Sequence, residues 1–119
     1  MSRILVVDDS DAVLDFVSQT LTAARHDVSM CSSAVGLEDR LRSSKPDLLI
    51  LDIVLPDRDG FQALRALRKD ADFSKIPVLM ISSKAEETDV EWGKIQGASE
   101  YLTKPFSAEQ LLAAVSRCV

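Results

Sequence analysis

Three apolar tetrads run without alternation along the chain: ILVV at Ile4–Val7, LLIL at Leu48–Leu51 and VLMI at Val78–Ile81. A strand with one wet face alternates apolar and polar residues, so these runs predict strands covered on both faces. Val28–Cys31 and Glu100–Leu102 are weaker segments that complete a set of five strands. Between the strands, apolar positions recur with helical period. Val13, Leu14, Val17 and Leu21 form one stripe, and Leu37 with Leu41 a shorter one. Phe61, Leu64 and Leu67 form a third, and Leu111, Leu112 and Val115 a last. Ser107 to Gln110 and Thr88 to Glu91 have capping-box spacing and mark two helix starts. Pro46, Pro56 and Pro77 fall at junctions, where a missing N–H does least harm. Five strands alternating with five helices predict a doubly wound α/β domain with a parallel sheet and right-handed crossovers.

Composition narrows the function more than the fold. The length of 119 residues suits one domain, and 46% hydrophobic with 28% charged residues suits an ordinary packed core. The net charge of −5 comes from 14 basic and 19 acidic residues, with no Lys/Arg-rich run. Direct binding to nucleic acid or to an anionic membrane is therefore not expected. No apolar run approaches the length of a membrane span or a signal peptide. Cys31 and Cys118 show no metal spacing and read as reduced thiols of a cytoplasmic protein. His26 stands alone, without a sequence partner for ligation or base catalysis, and reads as a solvated turn residue.

In doubly wound sheets the functional crevice lies at the carboxyl ends of the strands. Strand one ends in Asp8-Asp9, strand three in Asp52, strand four in Ser82-Ser83 and strand five in Thr103-Lys104-Pro105. Each has a plain structural role available. Asp8, Asp9 and Ser10 could cap the first helix, Ser82 could be another cap, and Asp52 and Lys104 could be solvated loop residues. Convergence is what argues against this. Two like charges about 4 Å apart repel by roughly 4 kcal/mol at an effective dielectric near 20. Clustered carboxylates must shift their pKa values or recruit a cation. Oxygen ligands at a partly open site favour Mg²⁺, which often completes its shell with phosphate oxygens. A metal site beside a carboxylate, with lysine and hydroxyl opposite, suits phosphoryl transfer, in which an aspartate can be the nucleophile. Asp52, at the end of a rigid apolar strand, is the candidate acceptor.

The segments ILVVDDS, PDLLILDIVLPDRDG, IPVLMISS and GASEYLTKPF, in this order and spacing, make the chain resemble a response-regulator receiver domain of two-component signalling over essentially its whole length. The resemblance implies a flavodoxin-like five-stranded sheet of order 2-1-3-4-5 with five helices. It implies that Asp52 accepts a phosphoryl group from a phosphohistidine on a sensor histidine kinase or phosphotransfer protein. Mg²⁺, with Mn²⁺ as a substitute, would be held by Asp9, Asp52 and the backbone carbonyl of Val54, with Asp8 reaching it through water. Lys104 would pair with the phosphoryl oxygens, and its peptide bond to Pro105 would be cis. Ser82 would swing toward the phosphate and Tyr101 would rotate inward behind it. The face made by the fourth helix, fifth strand and fifth helix would then change its affinity for a downstream protein target.

The stretch around Trp92, ETDVEWGKIQGASEYLTKP, is similar to single-domain regulators of twitching motility and chemosensory arrays. Trp92 is either packed partly on the core or, with Ile95 and Tyr101, an anchor for a partner. Val54 and Lys84 occupy positions that tune phosphoryl lifetime in this family. Neither offers a group to orient water, so unassisted and unhurried self-dephosphorylation is expected. The expected organisation is one receiver domain over residues 1–119 with no output domain, a switch rather than a turnover enzyme.

Two rivals are weaker. A pseudo-receiver that works without phosphate would usually lack an acidic-pocket residue or the lysine, and both are present. A dehalogenase-type hydrolase would need an acid two residues after Asp52, where Val54 stands. Asp57 to Gly60 looks like the middle of a calcium loop, but Leu55 and Ala66 fill the first and twelfth ligand positions, so it is a turn.

Overall fold

The computed structural model describes residues 1–84 and 86–119. Its elements alternate as β1 (Arg3–Val7), α1 (Asp11–Ala23), β2 (Asp27–Cys31), α2 (Leu37–Ser44), β3 (Leu48–Asp52), α3 (Gly60–Lys69), β4 (Val78–Ser82), α4 (Glu87–Ile95), β5 (Glu100–Thr103) and α5 (Ala108–Cys118). All neighbouring strands are parallel, in the order β2-β1-β3-β4-β5. This is the doubly wound, flavodoxin-like arrangement expected from the sequence. Strand boundaries extend the expected ones by at most one residue at either end.

The pleat explains how unbroken apolar runs serve two cores at once. In β1, Ile4 and Val6 pack with Leu14, Val17 and Leu21 of α1 and Leu111 and Val115 of α5. Leu5 and Val7 pack on the opposite face with Leu37 and Leu41 of α2 and Leu64 and Leu67 of α3. Every residue of β3 and β4 is buried, whereas β2, at the sheet edge, is mostly exposed. Each leucine so buried contributes roughly 1.5–3 kcal/mol from water exclusion alone.

Side chains cap the starts of α1, α3 and α5, through Ser10, Asp59 and Ser107, but not those of α2 and α4. The Ser107 hydroxyl accepts the Gln110 N–H and the Gln110 side chain reaches back to the Ser107 N–H, completing the expected capping box of α5. The box expected at Thr88 does not form. The chain is extended at Glu86 and helical from Glu87, so Thr88 lies inside the first turn and its hydroxyl is too late to cap. Among the described residues no side-chain cap bond closes this end of α4, and Gly93 is the one residue of the helix that is buried. His26 is half-buried rather than simply solvated, because its Nδ1 accepts the Ser2 N–H at 3.1 Å.

Candidate functional site

The register sets the strand exits level with one another. Val7 pairs with Leu51, Asp52 with Ile81, and Ser82 with Thr103. The residues that follow, or end, these strands therefore meet along one edge. Carboxylate oxygens of Asp8, Asp9 and Asp52 all lie within 4.8 Å of one another.

Capping of α1 falls to Ser10 alone, whose hydroxyl accepts the Val13 N–H at 3.3 Å. Asp8 is left for the site and is fully buried. Its Oδ1 accepts the Ser10 N–H at 2.9 Å, and its Oδ2 accepts from Lys104 Nζ at 2.7 Å. The same Nζ stands 3.5 Å from Asp52 Oδ2. Lys104 is held there by its backbone, which donates its N–H to the Ser82 carbonyl at 2.7 Å, and its peptide bond to Pro105 is cis. Asp9 faces solvent.

Asp52 is 4% exposed, and its pKa is raised above the ordinary carboxylate value. Burial is the main cause and the charge of Asp8 the second; Lys104 and the backbone N–H groups of Val54 and Ile53 pull the other way. A buried carboxylate with two acidic neighbours and one ammonium is under-compensated. Its hard oxygen donors suit a small divalent cation and offer no soft ligand for other metals.

The loop after β3 is shaped by a close approach. A Cβ at Gly60 would lie 2.5 Å from the Asp52 carbonyl oxygen and 2.6 Å from the Ile53 Cα, so only glycine fits. Its N–H donates to the Ile53 carbonyl at 2.7 Å, beside a bridge between Val54 and Asp59. Asp59 then caps α3 by accepting the Phe61 N–H at 2.7 Å. The turn at Asp57 is pinned from outside: Asp57 accepts the Ala34 N–H at 3.2 Å, and Arg58 pairs with Glu38 at 2.7 Å. Sequence reasoning missed these props, because Ala34 and Glu38 lie some twenty residues away and carry no motif.

Across the site, Ser82 is buried and its hydroxyl accepts the Lys84 N–H at 3.1 Å. The Tyr101 hydroxyl donates to the carbonyl of the same Lys84 at 2.8 Å. Burial raises the Tyr101 pKa, and the neighbouring Ser82 hydroxyl opposes that shift. Trp92 and Ile95 are 45% and 72% exposed on α4, so Trp92 is less a core residue than a surface one. A hollow of about 840 Å³ lies at the opposite end of the sheet around Lys45, Phe73 and Ile76 and includes none of these residues. Electrostatics, not concavity, singles out the acidic edge.

The response regulator receiver domain family model matches residues 4–116. Protein PilH of Pseudomonas aeruginosa is 43% identical over 116 residues, covering 98% of this chain and 96% of that protein. The fold is similar to the chemotaxis response regulator CheY4 of Vibrio cholerae, with a TM-score of 0.92 and 29% identity over 100% of this chain and 99% of that one. It is also similar to the Mn²⁺-bound form of the response regulator Rcp1, with a TM-score of 0.80 and 26% identity over 97% of this chain and 89% of the other.

Proposed function

The chain belongs to the response regulator receiver domain family, and from that membership we propose that it is a phosphorylation switch in which Asp52 takes a phosphoryl group from a phosphohistidine of a sensor histidine kinase or phosphotransfer protein. One observation carries the reading: Lys104 Nζ bridges the buried carboxylates of Asp8 and Asp52, at 2.7 and 3.5 Å, at the carboxyl edge of the sheet. Asp52 Oδ would form a bond to phosphorus as the P–N bond to the donor imidazole breaks and the imidazole leaves with the electron pair. Lys104 is already placed to follow the new negative charge, exchanging contact with Asp52 for the phosphoryl oxygens. Ser82 would give up its bond from Lys84 to donate its hydroxyl to a phosphoryl oxygen, which releases the segment that Tyr101 also holds.

The acidic cluster fits the divalent ion that receiver domains bind at this pocket. Asp9, Asp52 and the Val54 carbonyl would hold Mg²⁺ or Mn²⁺, with Asp8 reaching it through water, and the ion when bound neutralises charge on the transferring group. Output would pass through α4, β5 and α5, where Trp92 and Ile95 are exposed and, with Tyr101, can anchor a protein target. Neither Val54 nor Lys84 can position water, so loss of the label without a partner is slow. A pseudo-receiver is not favoured, because the full acidic pocket and its lysine are present. The resemblance to PilH and CheY4 supports a cytoplasmic place in a chemosensory or twitching-type pathway.

Incubation with Mg²⁺ and acetyl phosphate, followed by intact mass spectrometry, tests this. One phosphoryl adduct is expected, absent from Asp52→Asn protein and from a sample treated with EDTA. An adduct that survives Asp52→Asn would overturn Asp52 as the acceptor.

A further inference from the structure

Glycine is a poor residue for the middle of a helix, yet Gly93 is the one residue that α4 buries. What occupies the space of its missing side chain is the ring of Tyr101. A Cβ at 93 would lie 2.9 Å from Tyr101 Cδ2 and 3.2 Å from Cε2, with Phe61 Cε1 behind at 3.4 Å. The ring therefore lies directly on the backbone of α4, backed by the core around α3. From that seat the hydroxyl reaches the Lys84 carbonyl at 2.8 Å. The N–H of the same residue is held by Ser82 Oγ at 3.1 Å. Tyr101 and Ser82 thus grip the two polar groups of one residue, at the exit of β4.

We infer that Gly93 is a positioning residue: its bare backbone is the seat of the Tyr101 ring, and it sets one of the positions between which the Ser82–Tyr101 pair moves. The inference deepens the switch reading and rests on it for its functional half. The seat makes α4 itself part of what holds the ring in this position. Any displacement of α4 by a bound target changes the room available to the ring, and any departure of the ring uncovers Gly93. A side chain at 93 would push the ring off α4, because the obstructed atoms belong to a ring that can rotate away about χ1 rather than to fixed backbone.

Tyr101 is the chain's only tyrosine, so 3-fluorotyrosine labelling gives a single fluorine resonance. In metal-free protein the Gly93→Ala variant should move that resonance toward its position in the unfolded chain and increase its solvent isotope shift. Thermal unfolding supplies a second reading that does not depend on the label. Gly93→Ala should lower the melting temperature when Tyr101 is present and raise it in a Tyr101→Ala background, where only helix propensity remains. An unmoved resonance, or the same change of melting temperature in both backgrounds, overturns the seat. Acetyl phosphate and Mg²⁺ are then added to each protein. A resonance shift on phosphorylation that is lost in folded Gly93→Ala protein supports the switch role, and an unchanged shift overturns it. Absence of a phosphoryl adduct from the wild-type protein would instead refute the receiver chemistry, leaving the seat judged by the metal-free readings.

Discussion

Replacing Asp52 by asparagine should stabilise the metal-free protein, although it removes the proposed reactive group. At an effective dielectric of about 20, Lys104 Nζ at 3.5 Å attracts an ionised Asp52 by roughly 4.7 kcal/mol. The carboxylate oxygens of Asp8, Asp9 and Asp52, within 4.8 Å of each other, repel by at least about 3.5 kcal/mol per pair on the same scale. The Asp8 pair alone nearly cancels the lysine, so desolvation decides the sign, in keeping with the raised pKa of Asp52. Asparagine keeps the shape and an oxygen for the Val54 and Ile53 N–H groups while removing the charge. The expected gain is about 1–2 kcal/mol near neutral pH, the low end of what neutralising a poorly compensated buried charge yields. Because the folded pKa lies above the unfolded one, ionised Asp52 costs stability at any pH above the folded value. That cost disappears as pH falls through the folded pKa toward 3.8, and the advantage of Asp52→Asn should disappear with it. Urea unfolding in EDTA, repeated down the acid range, reads both quantities; millimolar Mg²⁺ should narrow or invert the difference by stabilising the wild type. A metal-free Asp52→Asn protein less stable than wild type would mean that Lys104 over-compensates the site, and the argument from burial would fail.

Lys104→Met strips the fully buried Asp8 of its cation and should cost about 3–5 kcal/mol in EDTA, with part recovered in Mg²⁺; equal urea midpoints would show that the pair contributes nothing. Gly60→Ala drives a Cβ into two backbone atoms that cannot rotate away, so a loss of at least about 2 kcal/mol is expected, with weaker Mg²⁺ binding by calorimetry because Asp52 and Ile53 are displaced. Arg68 donates to the Gly97 carbonyl from Nε at 3.1 Å and Nη2 at 2.8 Å, and to the Phe73 carbonyl from Nη1 at 3.1 Å. Arg68→Met should therefore cost about 1–3 kcal/mol and speed hydrogen exchange of the Gln96–Ala98 amides, which follow α4, more than those of β1.

The sheet was legible because its signal is redundant. Each of Ile4–Val7, Leu48–Leu51 and Val78–Ile81 had to be apolar at every position to be covered on both faces, and the structure buries every one of those residues. The acidic edge was legible for a related reason. Once the strands are parallel, their carboxyl ends fall together, and the meeting of Asp8, Asp9, Asp52, Ser82 and Lys104 can be read without knowing a distance. The start of α4 was less legible. Thr88-x-x-Glu91 satisfies a local pattern, but the chain is still extended at Glu86 and already helical at Glu87, and with only Gly93 buried this short helix has little apolar surface to fix its frame.

What stayed hidden is the set of contacts between residues far apart in sequence whose types carry no alarm on their own. That Lys104 and Asp8 share one edge was legible; that the ammonium bonds directly to this fully buried carboxylate, across 96 positions, was not. Arg68 meets the Gly97 carbonyl across 29, and Asp57 meets the Ala34 N–H across 23. Gly93 is the sharpest case. By propensity alone it is a flaw in a helix, and by pattern it is one small residue in WGKIQG. Only the ring of Tyr101, delivered by the neighbouring strand, turns the flaw into a fit. A local rule broken without local compensation is therefore informative in itself: the compensation lies elsewhere in the fold, and here it lies at the residue proposed to move.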